Sequence, residues 1–222
     1  MARGRAPNYD EQREAILRHA ARLFARQGYV GTSMNQVAEA AGLSKASLYH
    51  YYRDKYALLV EIAEGHVATL ETLVRAVQAE ALPPPAAVRR LIERIIVQYA
   101  GAQDAHRVLT EDVRFLEPAD RERILGVERR VVAGFADAIA AWQPKQARAG
   151  LAKPLTMLLF GMINWLFTWL RHDGALTHAE LAPIVTDLFF AGVPGVHAPR
   201  TAATVPRLTT TTTTTTTTGD LP

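Results

Sequence analysis

Thr32-Ser33-Met34-Asn35-Gln36-Val37-Ala38-Glu39-Ala40-Ala41-Gly42-Leu43-Ser44-Lys45-Ala46-Ser47-Leu48-Tyr49-His50-Tyr51-Tyr52 contains two helix beginnings and the turn between them. Ser33 is followed three places later by Gln36, the spacing at which a hydroxyl caps an amide of the first turn and the Gln side chain reaches back. Met34, Val37, Ala38 and Ala41 then fall on one side of a short helix. Gly42 ends it, because glycine takes the left-handed conformation without a Cβ penalty. Two residues on, Ser44 caps a second short helix in which Leu48 and Tyr52, four apart, face inward. Lys45, Ala46, Tyr49 and His50 are left pointing elsewhere. Two short helices joined by a glycine-bearing turn form a helix-turn-helix, whose second helix enters the major groove while the first braces against the DNA backbone.

Upstream, Asp10 caps a helix that sets Ile16, Ala20, Leu23 and Phe24 on one face and stops at Gly28. Downstream, Asp54 opens a longer helix with Leu58, Leu59, Ile62, His66, Leu70, Leu73 and Val77 along one side. Pro83-Pro84-Pro85 cannot continue it and separates head from body. Beyond the prolines, periodicity predicts helices over 86–102, 104–116, 119–142, 151–172 and 177–191, with breaks at Asp104, Glu117-Pro118, Pro144 and Asp173-Gly174. No alternating strand pattern is visible. The expected fold is all-α. A three-helix helix-turn-helix domain over 1–55 is joined by a long helix to a helical effector-binding and dimerisation domain over 56–193. Residues 194–222 read as a disordered Pro/Thr-rich tail, with ten consecutive Thr from Thr209 to Thr218 and no apolar face to pack.

Composition narrows the function classes. Apolar residues make up 49% of the 222 and charged residues 21%, the balance of a soluble globular chain with a sizeable core. There is no cysteine, which excludes disulfides and thiolate metal sites and points to a reducing cytoplasm. The first residues run into a charged helix, not an apolar signal segment. The net charge of +3 is uneven: residues 1–56 hold nine Lys and Arg against five Asp and Glu, leaving −1 for the rest. A basic head suits a polyanion, although many solvated surfaces are also basic. Residues 155–170 are strongly apolar but number only 16 and include Thr156, Asn164 and Thr168, whereas a spanning helix needs about 20 apolar residues. Burial in a core or subunit contact is expected there, not a membrane span. No nucleophile elbow, phosphate-cradling glycine loop or His-Glu zinc motif is present. The seven histidines are scattered without ligand spacing. The chain therefore reads as a binder, not an enzyme, with no metal and no cofactor.

The run 32–52, with Leu23-Phe24 and Gly28-Tyr29 before it and Lys55 and Leu58 after it, resembles the DNA-binding signature of the TetR/AcrR family of transcriptional regulators over about residues 10–60. Ala46 stands where Gly is common and Tyr52 where Phe is common. The resemblance implies a repressor that binds palindromic double-stranded operator DNA as a homodimer and is released by a small-molecule effector. In that frame Ser33, Ser44 and Ser47, at helix N-termini, offer hydroxyls and backbone N–H groups to phosphates. Lys45 and Lys55 supply charge at the groove rim, Lys55 where family members touch the backbone. Tyr49, His50 and Tyr51 suit phosphates and thymine methyls, and the Ala46 methyl sets how closely the helix approaches a base edge. Arg3 and Arg5 precede the first helix, from where an arm reaches a minor groove. Ordinary packing is the alternative for the three tyrosines, Tyr52 above all.

The resemblance also implies that helices 151–172 and 177–191 pair with their copies in a four-helix bundle, with Phe160, Gly161, Leu188 and Phe189 at the interface. A monomer core is the alternative. An aromatic and Met-rich lining drawn from Phe115, Met157, Phe160, Asn164, Trp165 and Trp169 suits an apolar or acyl-bearing effector. The stretch 110–123 is loosely similar to TetR-type regulators of fatty-acid or aryl-acid catabolism, which sense acyl-CoA thioesters. Arg107, Arg114, Arg121 and Arg123 are then available to CoA phosphates, or else pair with acids at i±3 and i±4. The rival reading is a constitutive helix-turn-helix binder without an effector.

Overall fold

The computed structural model describes residues 9–170, 174 and 176–197. Their regular structure is entirely helical: α1 (Tyr9–Gly31), α2 (Met34–Ala40), α3 (Lys45–Tyr51), α4 (Lys55–Ala79), α5 (Pro84–Gly101), α6 (Gln103–Asp112), α7 (Pro118–Trp142), α8 (Pro144–Arg148), α9 (Ala152–Asn164), α10 (Leu166–Trp169) and α11 (His178–Gly192), with 3-10 turns at Val113–Phe115 and Val193–Gly195. Among these residues no helix is long and apolar enough to cross a membrane. Arg3, Arg5 and the tail from residue 198 lie outside the described residues. The first residues assigned to that tail, Pro194 and Gly195, belong to the 3-10 turn that closes α11.

Local chemistry accounts for most boundaries. Gly28, at φ +79°, breaks the helical path inside α1, and Gly42, at φ +67°, turns the chain out of α2. Asp54 caps α4 by accepting the Ala57 N–H at 2.7 Å. Pro84, Pro118 and Pro144 each stand at the start of a helix, where a proline loses no hydrogen bond and its fixed φ suits the first turn. Pro144, expected only as a break, thus opens the short α8. The single helix expected over 151–172 is corrected: it ends at Asn164, turns at Trp165, and resumes as the one-turn α10.

Two cores hold the helices together. The upper one joins α4 (Leu70, Val74, Val77) to α5, α7, α9 and α11, around Ile92, Ile95, Phe135, Leu159 and Phe189. Gly134 lets α7 lie directly on α4, where a Cβ would meet Val74 Cγ1 at 2.4 Å. The lower core packs Ile16, Phe24, Val37, Leu48, Leu58 and Leu59 of the head, and it also contains Val108, Leu109, Leu116 and Ile124 from the body. Head and body therefore meet along α1 and α6, as well as through the shared α4.

Candidate nucleic-acid interface and effector chamber

The helix-turn-helix is built by its caps. Ser33 Oγ accepts the Gln36 N–H at 3.3 Å, while Gln36 Oε1 accepts the Ser33 N–H at 2.8 Å. Ser44 Oγ accepts the Ser47 N–H at 3.0 Å, and the two hydroxyls lie 2.8 Å apart. Leu48 is fully buried and Tyr52 nearly so. Tyr52 is a packing residue with a polar end: its hydroxyl accepts from Arg13 Nε at 3.1 Å and donates to Glu61 Oε1 at 3.2 Å, and Arg13 pairs with Glu61. Burial, partly opposed by the Arg13 hydrogen bond, raises its phenol above the usual range. This triad ties α1, α3 and α4 together beneath the outward face of α3.

On that outward face Lys45, Ala46, Tyr49 and His50 are exposed. Lys45, Tyr49 and His50 make no hydrogen bond, ion pair or ring contact with the described residues. Tyr51 is half-buried and stacks on Tyr9 with ring centres 4.9 Å apart. Lys55 does not stand free at a rim. Its Nζ donates to the carbonyls of Tyr29 at 2.7 Å, Thr32 at 2.7 Å and Val30 at 3.3 Å, and sits 4.4 Å from the centre of the Tyr29 ring. Three donors meet three acceptors, so the ammonium is spent on the carbonyl end of α1, where a cation is favoured. Burial lowers the Lys55 pKa.

In the body, a chamber of about 250 Å³ lies between α4, α5, α6, α7 and α9. Its walls are mostly apolar, including Leu70, Leu109, Val131 and Phe160, with Tyr99, His106, Thr110, Glu128 and Asn164 as polar groups. The break at Trp165 makes this polar cluster possible, because the Asn164 carbonyl lies at the end of α9 and is open to another donor. His106 Nε2 donates to it at 3.1 Å. A carbonyl only accepts, so the His106 proton sits on Nε2 and Nδ1 receives His66 Nε2 at 3.2 Å. Tyr99 stacks on His106 with ring centres 4.1 Å apart and donates its hydroxyl to Asn164 Oδ1 at 2.9 Å. Burial drives His66 down to about 3 and lowers His106, so both are neutral. Burial raises the carboxyl of Glu128.

Of the expected effector residues, Met157, Phe160 and Asn164 line the chamber. The others lie elsewhere. Arg107 pairs with Glu111 at 3.0 Å, and Arg114 lies over the ring of Phe115. Phe115 itself packs on Tyr29. Trp165 and Trp169 are 60% and 54% exposed, while Leu166 and Leu170 of the same segment are buried in the upper core. Arg123 pairs with Glu64 and Asp120. A second cavity of about 550 Å³ opens between α7 and α9 and carries Arg129 and Lys153. Sequence reasoning missed Tyr99, His106 and Glu128. They are carried by three different helices, α5, α6 and α7, and only tertiary structure gathers them.

The expected dimer face needs a correction of detail. Phe160 and Phe189 are buried in the subunit's own core, at 6% and 5% exposure. Helical register turns their neighbours outward instead: Leu158 and Gly161 on α9, Trp165 in the turn after it, and Ile184 and Leu188 on α11 are exposed.

Comparison with known proteins agrees with this architecture. A family model described as the Tetracyclin repressor-like C-terminal domain matches residues 81–193, and the model for bacterial regulatory proteins of the tetR family matches 16–62. The HTH-type transcriptional regulator AcrR of Shigella flexneri is 32% identical over 111 residues, 50% of this chain. The chain spans about half the length of that relative, 52%. A TetR-family transcriptional regulator from Bordetella parapertussis 12822 superposes with a TM-score of 0.76 at 33% identity, covering 83% of this chain and 97% of its own. AibR, solved in complex with isovaleryl coenzyme A and operator DNA, superposes with a TM-score of 0.68 at 25% identity, covering 80% and 97%.

Proposed function

The chain belongs to the TetR family of bacterial regulatory proteins, and on that premise we propose that it is a cytoplasmic repressor that binds a palindromic operator as a homodimer and is released by a small apolar effector. The observation that carries this reading is the outward face of α3, where Lys45, Tyr49 and His50 stand exposed without partners above a core locked by Leu48 and Tyr52. Side chains so presented on a second helix suit the major groove. Ala46 lies between them as the point of close approach. Ser33, Ser44, Ser47 and Tyr51 are assigned to the phosphates, and Arg3 and Arg5, outside the described residues, to the minor groove. Lys55 acts one step back, by fixing α1 to α4.

The effector reading is supported by the mostly apolar chamber, which a constitutive binder does not require. We assign it an acyl- or aryl-CoA thioester, the class to which the isovaleryl coenzyme A bound by AibR belongs. Release follows from a population shift. An effector that prefers one spacing of the two heads draws the dimer toward it, and a tenfold loss of operator affinity needs only about 1.4 kcal/mol of such preference. Helix α6 is the lever, since His106 faces the chamber while Val108 and Leu109 pack in the lower core with α1. Operator sequences selected from a random pool, followed by titration with free acids and their CoA thioesters, test the proposal. Selection of an inverted repeat and its release by a thioester are expected. Binding that no compound in the panel relieves would instead favour the constitutive binder.

A further inference from the structure

The inner chamber and the α7–α9 cavity share Leu125, Glu128, Val132 and Met157 as lining, so the second adjoins the first as an outer vestibule on the other side of these side chains. The two spaces differ in charge. Among the described residues the chamber wall contains one acid, Glu128, and no Lys or Arg. The vestibule adds two cations, Lys153 and Arg129, and one acid, Asp137. Arg129 is paired with Glu122, whereas Lys153 is exposed and has no ion pair with a described residue. Inside, the Tyr99 hydroxyl occupies Asn164 Oδ1, which leaves the Asn164 amide hydrogens without an acceptor among the described residues.

These placements discriminate between two forms of the same acyl group. A carboxylate in the chamber would lie near Glu128 in an apolar space that offers no cation, and two acids in such a site resist ionising together. Burial already raises the Glu128 carboxyl, which shows how poorly that wall solvates negative charge. A thioester carbonyl carries no charge, and the Asn164 amide can donate to it. A carrier with phosphates would remain outside, toward Lys153. We infer that Glu128 is a specificity-determining residue that bars free carboxylic acids from the chamber and admits the same acyl group as a thioester, with the anionic carrier held in the vestibule beside Lys153. The inference rests on the effector reading above and refines it.

Calorimetry on the full chain without DNA tests it, using isovaleryl-CoA, the isovaleryl thioester of N-acetylcysteamine, which lacks phosphates, and free isovalerate. Both thioesters should bind, and isovalerate should bind at least about tenfold more weakly than the N-acetylcysteamine thioester, the effect of one pKa unit of like-charge coupling. Glu128→Gln, close to Glu in shape, should narrow that ratio by about tenfold; reading a ratio cancels any general loosening of the fold. Lys153→Glu should weaken isovaleryl-CoA and leave the N-acetylcysteamine thioester unchanged. The inference is overturned if wild-type protein takes isovalerate as well as the thioester, if no thioester binds, if Glu128→Gln leaves the ratio in place, or if Lys153→Glu does not separate the two thioesters. Thioesters that bind with this selectivity but do not release operator would refute the release mechanism alone.

Discussion

Lys45 and Lys55 are ten positions apart and carry the same charge, yet the fold leaves Lys45 exposed and ties Lys55 to three carbonyls. Lys45→Ala should weaken specific and non-specific DNA alike and reduce the slope of log K against log salt by about one phosphate's worth. Lys55→Met removes the three bonds to the Tyr29, Val30 and Thr32 carbonyls, so it should lower stability by about 1–3 kcal/mol in urea titrations and leave the salt slope of operator binding unchanged. A Lys55→Met protein of wild-type stability with a reduced slope would return this residue to the phosphates. Tyr49→Ala and His50→Ala should each cost about 1–3 kcal/mol of specific binding by fluorescence anisotropy. Variants that hold the operator at full strength would remove α3 from the groove. The histidine pair makes a different kind of prediction. His66 falls from an ordinary 6.5 to about 3 in the folded chain, and His106 is lowered with it. Below about pH 6.5 the unfolded chain therefore binds protons that the folded chain refuses, and stability drains as pH falls toward the folded values, by about 1.4 kcal/mol per pH unit for each histidine. Urea midpoints between pH 7 and pH 5 should fall more steeply for wild type than for His66→Gln. Equal slopes would mean that His66 is already solvated.

Helices, their ends and their close contacts set what a sequence can reveal. Ser33, Ser44 and Asp54 cap their helices at the expected positions, because a cap is decided by residues within three places of one another. Gly28 and Gly42 are equally local, since a positive φ is a property of one residue. The turn at Trp165 has no such marker: the run 155–170 contains no Pro, its one glycine, Gly161, lies inside α9, and the break appears where the Asn164 carbonyl finds His106, 58 residues away. Likewise Phe160 and Phe189 look as suited to a subunit contact as Leu158 and Leu188, because hydrophobicity does not say which side of a wholly apolar helix faces its own core. Lys55 was readable as a cation and unreadable as a brace, its acceptors lying on another helix. Gly134 carries no mark in the sequence. Its meaning is the 2.4 Å that a Cβ would leave to Val74 Cγ1. Alanine improves an exposed helix by about 1 kcal/mol over glycine, but overpacking a tight contact costs about 1–3 kcal/mol. Gly134→Ala should therefore lower stability by about 1 kcal/mol at fixed protein concentration, and Val74→Ala in the same chain should recover part of the loss. A Gly134→Ala variant more stable than wild type would show that α4 and α7 can separate at little cost.

At the scale of the whole molecule, the proposed dimer would cover Leu158, Ile184 and Leu188, which α9 and α11 leave exposed. A second copy meeting these side chains through a two-fold axis would set two recognition helices about 34 Å apart, one turn of DNA. Leu188 is 62% exposed, so Leu188→Asp should leave the subunit folded, shift light scattering from dimer to monomer, and weaken operator binding. Phe189→Asp would unfold the subunit instead, because that side chain is already in its core. A wild-type monomer at micromolar concentration, unchanged by operator, would exclude the arrangement. The lower core bears on whether such regulators are interchangeable parts. Val108, Leu109, Leu116 and Ile124 of the body fill the same space as Ile16, Phe24 and Leu48 of the head. A chimera that grafts another family member's reading head onto this body would have to import its complement on α6 and α7 as well. Grafts cut at the start of α4 should misfold or lose response to effector, and those that carry the matching surface should keep both. Modularity here follows a packing boundary, and that boundary runs through the body.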